Sequence, residues 1–154
     1  MRSFTAKTLL KAVRERDIAL ALEALNAGVD INSEVSADEV GLSGVAPILP
    51  LWFAILGGEA EFVRLFIERG ARVRTVYPYG ATPLMAAIVQ RQLKPRGVDV
   101  GDAIVCLLLD AGADVDAATP GGGTAWTQAE AYADAELLRL LARFREDTKR
   151  VQST

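Results

Sequence analysis

Three stretches of the chain end in nearly the same phrase. They are Asn26-Ala27-Gly28-Val29-Asp30-Ile31-Asn32, Glu68-Arg69-Gly70-Ala71-Arg72-Val73 and Asp110-Ala111-Gly112-Ala113-Asp114-Val115-Asp116. Their glycines are 42 residues apart in both intervals. A second phrase, an apolar helix start running into alanine, returns at Ala12, Ala54, Ala87 and Ala129, at spacings of 42, 33 and 42. Such self-similarity restricts the fold sharply. Each unit is one small element that cannot bury its apolar face alone, and neighbours must supply the core.

The unequal spacings locate two insertions. Ala12 to Gly28 and Ala54 to Gly70 are both 16 residues, whereas Ala87 to Gly112 is 25. Gly70 to Thr82 and Gly112 to Thr124 are both 12, whereas Gly28 to Leu49 is 21. Nine extra residues therefore sit in the first connection and nine inside the third unit, and removing both leaves a period of 33. The units fall at about 5–32, 45–73, 80–116 and 122–145, with insertions at 33–44 and 91–100. They form a single domain over 1–154.

Unit three opens on Thr82-Pro83-Leu84-Met85-Ala86-Ala87. With the 33-residue period, this resembles the ankyrin repeat and its T-P-L-H-x-A signature. Leu49-Pro50-Leu51-Trp52-Phe53-Ala54 and Thr124-Ala125-Trp126-Thr127-Gln128-Ala129 are degraded copies, and Lys7-Thr8-Leu9-Leu10-Lys11-Ala12 is the weakest. The motif histidine is missing from every unit and the proline from units one and four. The resemblance covers about residues 5 to 145 and implies an all-α solenoid of about four helix-turn-helix units with hairpin-like finger turns.

Local chemistry agrees. A threonine hydroxyl at position 82 can cap a helix whose first residue, Pro83, needs no amide hydrogen. Second helices show apolar residues at helical spacing: Phe62, Val63, Leu65, Phe66 and Ile67; Ile104, Val105, Leu107, Leu108 and Leu109; Leu137, Leu138, Leu140 and Leu141. Gly70 and Gly112 follow where a left-handed cap is expected. If Leu65 and Leu107 are as buried as this register implies, exchange for alanine costs about 2–5 kcal/mol.

Composition narrows the function. Hydrophobic residues make up 51% and charged residues 24%, as in a folded globular chain. The net charge of −3 gives no general attraction to nucleic acid or anionic membranes, and neither is expected as a partner. No stretch has the length of a membrane span, and Met1 to Arg16 does not resemble an export signal, so a cytoplasmic location is expected. The single cysteine, Cys106, fits a reducing compartment. Histidine is absent altogether. With it go the commonest general base, nucleophile activator and metal ligand. No catalytic residue, cofactor or metal is therefore expected.

Clusters that could carry chemistry have plainer readings. Glu34, Asp38 and Glu39 lie in the first insertion, and Asp110, Asp114 and Asp116 surround the third glycine. None has calcium-loop spacing, and they read as turn residues. Thr119-Pro120-Gly121-Gly122-Gly123-Thr124 lacks the lysine of a phosphate loop and reads as the last finger. Cys106 is expected on the outer side of its helix as an inert thiol. Arg64, Arg69, Arg72 and Arg74 alternate with Glu59, Glu61 and Glu68, as on a solvated helix face.

The resemblance implies that a partner binds along finger tips and the exposed, concave side of the first helices. Onto that surface project Tyr77 and Tyr79 in the finger before Thr82, Val89 and Gln90 on unit three's first helix, Tyr132 on unit four's, and Trp52. Aromatic side chains are enriched at binding hot spots. Trp52 and Leu56 also have the alternative of packing on a neighbouring unit. Insertion 33–44 reads as a polar, extended finger, and insertion 91–100, with Arg91, Lys94 and Arg96, as a widened turn. Either contacts a partner or is neutral, because longer loops cost little.

The expected function is non-enzymatic recognition of another protein. A specialised version is an immunity or inhibitor protein that neutralises one toxin or enzyme. A carboxylate- or lysine-based enzyme on the scaffold, needing a deep pocket of convergent groups, is the rival of another class. A self-associating structural protein is a third; a monomer is the default.

Overall fold

The computed structural model describes residues 3–42, 46–77, 80–93 and 100–153. Within them are eight α-helices, one short 3-10 turn and a single isolated antiparallel bridge, with no strands. The fold is all-α, as the repeat implies. The chain forms two compact units, Met1–Arg72 and Val73–Thr154.

In the first unit α1 (Ala6–Glu15) pairs with α2 (Ile18–Asn26), α3 (Pro50–Gly57) pairs with α4 (Ala60–Glu68), and α1 packs on α3. Leu9, Leu10, Ile55, Val63 and Phe66 are fully buried there. The Phe62 and Phe66 rings meet edge to face at 5.9 Å. In the second unit α5 (Pro83–Leu93) pairs with α6 (Val100–Asp110), α7 (Ala125–Ala131) pairs with α8 (Ala135–Gln152), and α5 packs on α7. Leu84, Met85, Ile88, Ile104, Leu108, Leu137 and Leu141 form its buried interior.

Helix ends follow the repeat. The buried Thr82 hydroxyl accepts the Met85 amide at 3.3 Å, and α5 begins at Pro83. Thr124 and Thr127 exchange bonds at the start of α7, the Thr127 amide donating to Thr124 Oγ1 and the Thr124 amide to Thr127 Oγ1. Gly70 and Gly112 sit at φ 89° and 90°, where a side chain is strained. Each lets the next amide turn back, Ala71 to the Phe66 carbonyl and Ala113 to the Leu108 carbonyl, both at 2.9 Å.

One residue per repeat ties a finger to its successor. Asn32, four residues past Gly28, donates from Nδ2 to the Gly70 carbonyl at 3.0 Å, and its Oδ1 accepts the Arg72 amide at 2.9 Å. Arg74, four past Gly70, donates from Nε to the Gly112 carbonyl at 2.7 Å. Asp116 holds the same place after Gly112. The counterpart of Gly112 in the last unit is Arg145, which stands 16 residues after Ala129, where the first two units carry glycine. Asp116 accordingly pairs with the Arg145 side chain at 3.1 Å.

Four expectations need correction. With Arg145 in place of a helix-ending glycine, α8 runs on to Gln152, beyond the unit boundary expected at 145. Leu65 and Leu107 are only half-buried; Phe62, Val63, Phe66, Ile104, Val105, Leu108 and Leu109 turn inward instead. The described part of insertion 33–44 is more than a polar finger. Val35 exchanges two backbone bonds with Ile48, and Val35, Ala37 and Ile48 bury themselves against Ala6 and Leu10 of α1. Finally, Arg91 is not in a loop: α5 continues through it to Leu93, and the remainder of that insertion, 94–99, lies outside the described residues.

Candidate functional site

On the second unit the first helices α5 and α7 lie side by side. Gln90 on α5 and Tyr132 at the end of α7 occupy the same place in the repeat, three residues after Ala87 and Ala129. Tyr132 is 45% exposed, and its amide closes α7 on the Gln128 carbonyl at 3.1 Å. Val89 and Gln90 are half-buried. An aromatic side chain thus holds on one helix end the register position that an amide holds on the adjoining helix, and such groups can bury area and exchange hydrogen bonds with a protein surface.

Tyr77 does not join them. It is a core residue, 6% exposed, so the expectation of an offered ring is corrected. Its amide donates to the Ala81 carbonyl at 2.9 Å and its carbonyl accepts the Gly80 amide at 2.8 Å. Gly80 in turn lies against the Pro120 ring of the following finger, leaving no room for a side chain. Tyr79 lies outside the described residues. Trp52, in the first unit, is half-buried against the cluster of Ala6, Leu10, Val35, Ala37 and Ile48, whereas Leu56 is 47% exposed.

A charge network that motifs alone do not reveal ties α5 to the starts of α6 and α8. Arg91 bonds both Asp102, in the first turn of α6, and Asp134, which precedes α8. Gln92 Nε2 also donates to Asp134 at 2.8 Å, and Glu136 is 4.0 Å from Arg91. Asp134 meanwhile caps α8, accepting the Leu137 amide at 2.9 Å. The side chains of Arg91 and Asp134 are only 16% and 14% exposed. Burial opposes ionisation of both. For Asp134 it is outweighed by the Leu137 amide, Gln92 and Arg91, which hold the carboxyl below its usual range. Asp102 and Asp134 likewise outweigh burial at Arg91 and raise its pKa.

Register carried a signal for this network. Arg16 and Arg91 each follow their unit's alanine by four residues, and each pairs with an acid 43 residues on, Glu59 or Asp134. Those acids occupy one register position, immediately before the second helix. Gly101 completes the arrangement. A side-chain carbon there would lie 2.9 Å from the Arg91 Cα, so only glycine lets α6 start this close to α5.

Cys106 is half-exposed, and its thiol pKa is pushed up by burial and then by Asp110 and Asp102. Among the described residues there is no cluster of metal-ligating side chains, and no helix is long and apolar enough to cross a membrane.

Paired helices, the threonine-proline start of α5 and second helices followed by glycine define a helical repeat protein. Residues 79–120 match the Ankyrin repeat family, a match that supports an ankyrin-repeat protein. No curated protein matches it. Ankyrin repeats serve generally as protein-interaction modules, and the match supports that general class.

Proposed function

We propose that the protein recognises another protein through the exposed side of α5 and α7, with Val89, Gln90 and Tyr132 as contacts. One observation carries this reading: Tyr132 keeps 45% of its surface exposed at the register position of Gln90 on the adjoining helix. Tyrosine buries much area for few rotatable bonds, so an exposed one on a firmly held helix is a favourable anchor. The Arg91–Asp134 network supports the reading by fixing α5 against the start of α8. Trp52 contributes to the core of the first unit and Tyr77 to that of the second, so neither belongs to the proposed surface.

Affinity capture from the source organism with tagged wild-type chain and with Gln90→Ala/Tyr132→Ala tests this. A partner retained by the wild type and lost by the double variant, with unchanged circular dichroism, is the expected result. Full retention by the double variant would show that the contact lies elsewhere.

A further inference from the structure

A second surface lies along α8 and shares no lining residue with the contacts proposed above. A groove of about 360 Å³ is lined by Arg91, Asp102 and Glu136 together with Leu137, Arg139, Leu140 and Arg143; Glu136 lies 4.0 Å from Arg91. Arg91 is spent on Asp102 and Asp134. Arg139 and Arg143 are different. Both are exposed, they stand one helical turn apart, and among the described residues neither side chain has an ion pair or hydrogen bond. Like charges at this spacing repel. Glu136, three residues before Arg139, and Asp147, four after Arg143, offset part of that repulsion, and an acidic ligand between the two arginines would offset more of it. Between them Leu140 is half-buried, leaving apolar surface at the groove floor.

We propose that this groove docks an acidic segment of a partner protein, its carboxylates on Arg139 and Arg143 and an apolar side chain on Leu140. Guanidinium groups suit carboxylates because they present paired donors in one plane. Two cations flanking an apolar strip match a short peptide with acids on either side of a leucine-like residue. The net charge of −3 over the chain disfavours a nucleic acid, whose binding requires a broader field. The proposal stands independently of the α5–α7 surface, since no residue is shared.

The test is selection of a random twelve-residue peptide display library on the full chain, followed by anisotropy titration of the enriched peptide. The expected outcome is a consensus with two acids flanking an apolar residue. Its affinity should fall about tenfold or more in Arg139→Glu/Arg143→Glu and fall with added salt. Gln90→Ala/Tyr132→Ala should leave it unchanged, which separates this groove from the other surface. Arg139→Ala/Arg143→Ala, lacking any new acidic charge, should also weaken binding and keep the wild-type melting temperature. The proposal is overturned by a consensus without acids, by no enrichment, by affinity indifferent to both arginine variants, or by tighter binding of a single-stranded oligonucleotide of equal length.

Discussion

Replacing Asp134 removes two interactions at once, and the repeat supplies its own control for separating them. Asp134 Oδ1 caps α8 on the Leu137 amide, while Oδ2 takes Gln92 and Arg91. Asp17, at the same register position, caps α2 on the Leu20 amide at 2.9 Å from an exposed site. Loss of a cap costs about 0.5–2 kcal/mol. Hydrogen bonds to a charged group add about 1.5–3 kcal/mol, and little screening applies because Asp134 and Arg91 are 14% and 16% exposed. Asp102 stays on Arg91 and keeps the loss below that of a fully stranded charge. Asp134→Ala should therefore cost about 2–4 kcal/mol and Asp17→Ala about 1 kcal/mol. Asp134→Asn retains the cap and should lie between them.

Urea denaturation reads these values, and tryptophan fluorescence assigns them. Of the two tryptophans, Trp52 reports the first unit and Trp126 the second, so Trp52→Phe isolates the transition of interest. With Arg91→Met in the background, the cost of Asp134→Ala should shrink toward that of Asp17→Ala. Coupling below about 0.5 kcal/mol would refute the reasoning, since independent sites add to within that margin. The pH dependence has a fixed sign. The folded Asp134 carboxyl titrates below its unfolded value of about 3.9. Its contribution is therefore complete above that value and disappears as pH falls through the lowered folded one, where the stabilities of the wild-type and Asp134→Asn chains should converge.

Three further outcomes follow from burial and space. Leu108→Ala, at 0% exposure, should cost about 2–5 kcal/mol by urea denaturation, and the half-buried Leu107→Ala clearly less. Gly101→Ala should lower the melting temperature of the second unit although alanine is the better helix former, because its Cβ meets the Arg91 backbone. Cys106 should react with a disulfide reagent at neutral pH more slowly than free cysteine and regain that rate in denaturant.

The helix starts, the glycine ends and the period of 33 were legible because each rests on a backbone requirement that only a few residue types meet. Thr82, Pro83, Gly70 and Gly112 all stand where the motif puts them. Burial within an apolar run was less legible. Phe62 to Ile67 contains five apolar residues in six positions, and a small rotation decides that Phe66 goes inside and Leu65 stays half out. Tyr77 was hidden for a related reason. A finger reads as exposed along its length, yet Tyr77, whose backbone bonds those of Gly80 and Ala81, is buried. The end of α8 had no stop signal to read, because Glu146 to Gln152 are adequate helix formers. The Arg91 network needed residues 43 apart to be aligned by register, which composition and motif searching do not do.

The most direct test of the binding surface is a photo-crosslinking amino acid placed at position 132, with position 146 on α8 as the exposed control, in cells of the source organism. The account predicts one dominant crosslinked protein from position 132, absent from position 146 and reduced by Gln90→Ala. Crosslinking that is equal at both positions, or present only at 146, would contradict it.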